Sequence, residues 1–206
     1  MDHLVIVTGG PGSGKTTLVE YLAGLGYGRT AEAGRSIIRD QRTIGGPGLA
    51  WRDDTLFAEL MLAWDMRSHR EAAAHEGLVV CDRGVPDMVG YFLLRGLPVP
   101  EHVWEATRRF RYHRTAFVAP PWPEIFEGDA ERHQSSDEAE RTYEAMCEAY
   151  PACEYELVAL PRVPVAERAR FLLDTVSGRG SGLQAHPPGD QEVAQDVGPR
   201  GPHPRQ

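Results

Sequence analysis

At 206 residues with 41% hydrophobic composition, the chain is long enough for one domain and apolar enough to close a core, which excludes wholesale disorder. Its longest apolar runs, at 4–7 and 77–81, fall far short of a membrane span, and Asp2 and His3 stand where a secretory signal would carry cations. A net charge of -8 argues against binding nucleic acid or anionic lipid through the field of the whole protein.

Leu4-Val5-Ile6-Val7 reads as a short buried strand ending at Thr8 and Gly9. A helix follows over 15–25, with Leu18, Leu22 and Leu25 on one stripe, and Gly26-Tyr27-Gly28 breaks it. Residues 29–32 are a weakly signalled strand, 33–41 a short helix, and Gly45-Gly46-Pro47-Gly48 a turn. Asp53 or Asp54 caps a long helix in which Leu56, Phe57, Leu60, Met61 and Trp64 recur at helical spacing.

Leu78-Val79-Val80-Cys81 is a second buried strand, ending at Asp82. Helices are expected near 87–95 and over 101–113, and then a strand over 115–119 that Pro120, Pro121 and Pro123 stop. A polar stretch reaches Ser136. Beyond it come a helix over 137–150, a strand over 155–160 and a closing helix over 165–176. Strands alternating with helices imply an α/β fold, a parallel sheet covered on both faces. From 177 to 206, six glycines and five prolines with little apolar periodicity read as a disordered tail. The domain is therefore placed at 1–176.

Gly9-Gly10-Pro11-Gly12-Ser13-Gly14-Lys15-Thr16 fits the phosphate-binding pattern G-x-x-x-x-G-K-[ST], and it lies between a predicted strand and a predicted helix, the context that pattern needs. Glycines let backbone N–H groups wrap a phosphate, Lys15 reaches the β/γ oxygens, and the Thr16 hydroxyl can ligate Mg²⁺. Thr17 completes the segment. Composition singles out the same lysine. The 22 basic residues are 21 arginines and Lys15 alone, in a chain with no asparagine. The position that kept lysine needs a compact ammonium on a flexible stem.

Asp82 ends a strong strand, so its carboxylate should emerge at the carboxyl edge of the sheet, where open α/β sheets place ligands. A metal role, direct or through water, follows. The alternative is an Asp capping the turn before Gly84 and Pro86. Arg83 suits a phosphate or substrate clamp as well as a surface ion pair.

With Asp82-Arg83 after one strand and Glu32 after another, the chain resembles P-loop kinases of the deoxynucleoside-kinase type. Glu32-Ala33-Gly34-Arg35 looks like a segment of the AAA-type ATPase/kinase family that includes the ribosylnicotinamide kinase domain of a bacterial NAD-synthesis regulator. The stretches Ala119-Pro120-Pro121-Trp122-Pro123-Glu124, Asp129-Ala130-Glu131-Arg132 and Arg141-Thr142-Tyr143-Glu144 are similar to bacterial members of that family. The resemblance implies a five-stranded parallel sheet of the nucleotide-kinase P-loop NTPase type. It also implies Glu32 as general base at the acceptor site, and Arg132, or else Arg141, as a lid arginine meeting the transferring phosphoryl. On that reading 120–136 is a lid that closes over the phosphates. A solvated charged loop is the bland alternative.

Arg35, Arg39 and Arg42 share one helix face, either gripping a phosphorylated acceptor or forming a solvated face. Arg108, Arg109, Arg111 and Arg114, interleaved with aromatic residues, suggest RNA contact. They also sit at a predicted helix C-terminus, where the dipole favours cations, and on an acidic chain that account is preferred. The eight histidines show no zinc spacing. The three cysteines leave an odd one and match no metal pattern, which indicates a reducing, cytoplasmic setting. Trp51 is read as lining a pocket or sealing the core.

The leading expectation is a kinase binding ATP and Mg²⁺ at the phosphate loop, with Lys15, Glu32, Asp82 and Arg132 as catalytic groups. Arg35, Arg83 and Arg141 are the substrate candidates for a small-molecule, nucleoside-like acceptor. The rival readings are an ATPase or NTP-binding switch acting on a protein partner, and a nucleotide-dependent RNA-binding module.

Overall fold

The computed structural model describes residues 2–125 and 136–178. Five strands form one parallel sheet: β1 (Leu4–Gly9), β2 (Gly28–Arg29), β3 (Val79–Asp82), β4 (Thr115–Ala119) and β5 (Glu156–Ala159), in the spatial order β2-β3-β1-β4-β5. The helices are α1 (Lys15–Gly24), α2 (Ala33–Ile44), α3 (Asp54–Ala73), α4 (Pro86–Leu94), α5 (Glu101–Arg109), α6 (Ser136–Ala152) and α7 (Val165–Val176). No helix among the described residues is long and apolar enough to cross a membrane. Most of the expected lid, with Arg132, and nearly all of the expected tail lie outside the described residues.

β1 shows why both sheet faces must be covered. All six of its residues are buried, and the period-2 alternation sends them in opposite directions. Leu4 and Ile6 join Leu62 of α3, Met88 and Val89 of α4, and Met146 and Tyr150 of α6. Val5 and Val7 meet Leu18 and Leu22 of α1 and Leu172 of α7. Each such aliphatic side chain, fully buried, contributes roughly 1.5–3 kcal/mol relative to exposure. A third cluster joins Ile37 and Ile38 of α2 to Leu49 and to Phe57 of α3.

Asp53 is the residue that caps α3, accepting from the Leu56 N–H at 2.9 Å. Asp54 instead ties α3 to α4, pairing with Arg95 at 2.5 Å and accepting from the Tyr91 hydroxyl.

Two boundaries differ from expectation. The second strand is only Gly28–Arg29. After the Thr30 N–H bonds the Val80 carbonyl, the chain leaves this sheet edge, and Glu32 becomes the N-cap position of α2. The helix expected to reach 113 stops at Arg109. Tyr112 is buried and its hydroxyl accepts from the Val85 N–H, while the His113 N–H bonds the Leu4 carbonyl, so 110–114 is pulled straight into β4.

Register fixes the geometry on which the site depends. Val7 is opposite Asp82, and the Arg83 N–H bonds the Val7 carbonyl at 3.1 Å. The carboxyl ends of β1 and β3 therefore open side by side.

Candidate active site

The loop after β1 is shaped by close approaches that only glycine allows. Gly9 lies at φ 127, and a Cβ there would run into the Ala119 backbone. Gly14, at φ 76, is the N-cap of α1, and a Cβ there would sit 2.9 Å from the Arg168 guanidinium. The loop thus delivers the N-terminus of α1, with its unpaired N–H groups and positive dipole end, into a cleft of about 550 Å³. Pro11, Gly12, Ser13, Gly14, Lys15, Thr16 and Thr17 line that cleft, together with Glu32, Arg35, Arg83, Trp122, Pro164 and Arg168.

Lys15 is 7% exposed and donates to the Gly10 carbonyl at 2.5 Å and to the Ser13 hydroxyl at 3.3 Å. Burial first, and repulsion from Arg83 second, pull its ammonium down to about 7, against the opposing pull of Asp82, Glu32 and Asp87. An ammonium held so far from its ordinary range is one that a polyanion would return to the charged state.

Asp82 is 6% exposed, and its Oδ1 has no hydrogen-bond partner among the described residues. Burial, followed by the neighbouring Glu32 carboxylate, pushes its carboxyl up to about 6. An orphaned carboxylate oxygen on Asp82 and the hydroxyl of Thr16 are both hard oxygen donors, the chemistry that suits Mg²⁺. Among the described residues, no three His, Cys, Asp or Glu side chains could enclose a metal by themselves.

Glu32 and Arg83 face each other across the mouth. Arg83 adopts φ 70, uncommon for a side chain with a Cβ. Its guanidinium bonds the Gly9 carbonyl at 3.0 Å and Asp87 at 3.0 Å, and lies 3.5 Å from Glu32. Glu32 also pairs with Arg35 at 3.1 Å.

The structure therefore brings the phosphate loop, Glu32, Arg35 and Arg83 together in one cleft, with Asp82 buried at the end of β3 and outside that lining. It does not bring Arg141, which is exposed on α6 and outside the cleft lining. Arg132 lies outside the described residues. Arg39 points to solvent beside Asp40, and Arg42 lies over the ring of Trp51, which is 56% exposed and so does not seal the core. In the arginine-rich stretch, Arg108 and Arg109 pair with Glu101 and Glu105, Arg111 donates to the Cys153 carbonyl, and Arg114 pairs with Glu156.

Sequence reasoning missed three residues. Asp87 is buried and accepts four hydrogen bonds, from the Thr8 hydroxyl, Arg83, the Gly84 N–H and the Tyr150 hydroxyl. Its i, i+4 spacing from Arg83 was a usable signal. Trp122 and Arg168 lie 46 residues apart in the chain, and the guanidinium stacks 5.3 Å from the ring centroid while bonding the Gly14 carbonyl. The Nε of Arg168 is buried without a partner among the described residues. No local pattern announces that pair.

A family model described as AAA domain matches residues 4–168. No curated protein matches the chain in sequence. Among solved structures, deoxyadenosine kinase from M. mycoides, with dCMP and dCDP bound, superposes with a TM-score of 0.62 at 12% identity, covering 85% of this chain and 99% of the other. NadR in complex with NR gives a TM-score of 0.62 at 19% identity, with 91% of this chain matched to 54% of that one, so the chain spans about half of NadR. Shikimate kinase from Acinetobacter baumannii, in complex with shikimate, gives 0.54 at 14% identity over 87% and 95% of the two chains. These likenesses establish the fold.

Proposed function

The chain belongs to the AAA-domain family, and from that premise we propose that it is an ATP-dependent kinase that moves the γ-phosphoryl of ATP to a hydroxyl of a small, nucleoside-like acceptor. One observation carries the reading: a carboxylate, Glu32, stands with Arg83 in the same cleft as the phosphate-loop lysine. Phosphoryl transfer is mostly positioning and charge neutralisation, and those groups supply both.

The loop amides and the Lys15 ammonium hold the β- and γ-phosphates. Thr16 and Asp82 would hold Mg²⁺, which when bound neutralises charge on the phosphate oxygens. Trp122, backed by Arg168, offers a flat face on which the donor base stacks. The acceptor oxygen forms a bond to the γ-phosphorus as the bond to the β–γ bridging oxygen breaks. ADP leaves with that electron pair, and the hydroxyl proton passes to Glu32. Arg35 and Arg83 stabilise the charge spread over the transferring group.

The test is transfer of label from γ-labelled ATP to a panel of nucleosides and other small hydroxyl compounds, with acceptor-free and GTP controls. Acceptor-dependent labelling that disappears in Lys15→Ala supports the proposal. Hydrolysis at the same rate with and without every acceptor would favour the switch reading instead.

A further inference from the structure

Four cations line the cleft: Lys15, Arg35, Arg83 and Arg168. Two of them are neutralised by the protein itself. Arg35 lies 3.1 Å and Arg83 3.5 Å from Glu32, and Arg83 also pairs with Asp87 at 3.0 Å. Lys15 and Arg168 form no ion pair among the described residues, although they are buried to 7% and 4% exposure. Both bond the phosphate loop instead. Lys15 donates to the Gly10 carbonyl and the Ser13 hydroxyl, and Arg168, through Nη1, to the Gly14 carbonyl at 3.3 Å. The signature of the phosphate lysine is thus repeated on an arginine of α7.

The Arg168 guanidinium is under-bonded as well as uncompensated. Its Nε is buried without a partner among the described residues, and its bond to Gly14 is long. Stacking on Trp122, 5.3 Å from the ring centroid, supplies no acceptor oxygen. Burial lowers its pKa, and no carboxylate opposes that shift. A buried charge without a counter-charge costs the free protein stability, and an anion in the cleft removes that cost.

Placement says which anion. Arg83 grips the Gly9 carbonyl at the start of the loop and faces Glu32, where the acceptor reacts. Arg168 grips Gly14, where α1 begins, and lies against Trp122, the face assigned to the donor base. Gly14 makes room for it, since a Cβ there would sit 2.9 Å from Nη1 and 3.2 Å from Nη2. Between the base and the phosphates held by Lys15, the donor carries its ribose and its α-phosphate, and only the α-phosphate is anionic. Resting on the kinase reading above, we propose that Arg168 is a donor-binding residue whose guanidinium takes a non-bridging oxygen of the α-phosphate. It trades the long bond to a neutral carbonyl for a charge-assisted one, shorter and roughly twice as strong. The α-phosphate stays on the nucleotide throughout transfer, so Arg168 acts on the binding of ATP and ADP alike and not on the chemical step.

The experiment uses the full chain with Mg²⁺ and the two diastereomers of ATP that carry sulfur on the α-phosphorus, with ATP, ADP and GTP alongside. A guanidinium on one of the two non-bridging oxygens makes wild type bind one diastereomer more tightly, as read by calorimetry. Arg168→Gln should weaken the preferred diastereomer by about 10–100-fold, bring the two affinities together, and weaken ADP as well. Arg168→Lys, which keeps the charge without the fork, should lose less. The Tm of the ligand-free variants should stay within about 2 °C of wild type. If Arg168→Gln fails to fold, Arg168→Lys carries the same comparison. Equal binding of the two diastereomers by wild type, or a ratio unchanged in the variants, would overturn the assignment. So would a change in ATP against GTP with the diastereomer ratio intact, which would place Arg168 on the base. Absence of heat from every nucleotide in wild type would instead remove the kinase reading beneath it.

Discussion

Asp87 holds Arg83 by a 3.0 Å ion pair across four residues, and this pair sets the direction of a strand-end arginine that reaches both the phosphate loop and Glu32. The same carboxylate is anchored from β1 by Thr8 and from α6 by Tyr150, so three elements fix one side chain. Arg83 adopts its left-handed backbone within that over-determined setting.

Breaking the pair from the acid side leaves the half-buried Arg83 guanidinium short of one partner and the Thr8, Gly84 and Tyr150 donors short of theirs. Asp87→Ala is expected to lose about 3–5 kcal/mol of stability, read as a shift of the urea midpoint. Asp87→Asn, which keeps the shape, should unfold later than Asp87→Ala and still show reduced kcat. A midpoint equal to wild type in both variants would contradict the anchoring role.

Lys15→Ala removes the compact cation from the loop. Turnover should fall by roughly 10²–10³-fold, the usual loss for one preorganised electrostatic donor, and calorimetry with Mg·ATP should show strongly weakened binding. The fold itself should survive, because Lys15 donates only within its own loop.

Glu32→Gln separates chemistry from binding. With Glu32 as general base, kcat falls by about 10²–10⁴-fold and the affinity for ATP stays near that of wild type. Equal losses in both would assign Glu32 to nucleotide binding.

Trp122→Ala takes away the stacking face. Aromatic stacking on a base is worth about 1–3 kcal/mol, so ATP affinity should drop by roughly tenfold or more. Inorganic triphosphate, which has no base, should bind wild type and variant alike.

His69 gives the pH dependence a definite sign. Burial lowers its pKa from the ordinary 6.5, with the Arg111 carbonyl opposing. The unfolded chain then binds the proton more readily, so the stabilisation present above about pH 6.5 is lost as pH falls toward the depressed folded value. His69→Phe keeps the ring contacts and removes the titration, and its Tm should fall less than that of wild type between pH 7.5 and 5.5. Parallel curves would refute the assignment.

The apolar runs of β1, β3 and β4 and the periodicity of α1, α3 and α7 were legible because burial on two faces or on one stripe leaves a local pattern. So was the phosphate loop, whose glycines and lone lysine are needed within eight consecutive residues. Asp82 could be named because it ends a strong strand at the carboxyl edge of the sheet, and Glu32 only through the resemblance to P-loop kinases of the deoxynucleoside-kinase type. The length of β2 was not legible, since an edge strand is kept or dropped by what its neighbour offers. Nor was the end of α5, where Tyr112 docking overrides helix propensity.

What the sequence alone determined is the order of strands and helices along the chain and the glycine-rich loop with its lysine, because both are written in contiguous residues. Only the tertiary structure decided that Arg168 buttresses Gly14 from 154 positions away, that Asp87 is satisfied by donors from three other parts of the chain, and that Arg141 is exposed on α6. Those outcomes depend on which groups packing brings within hydrogen-bonding distance, a quantity that short-range spacing does not encode.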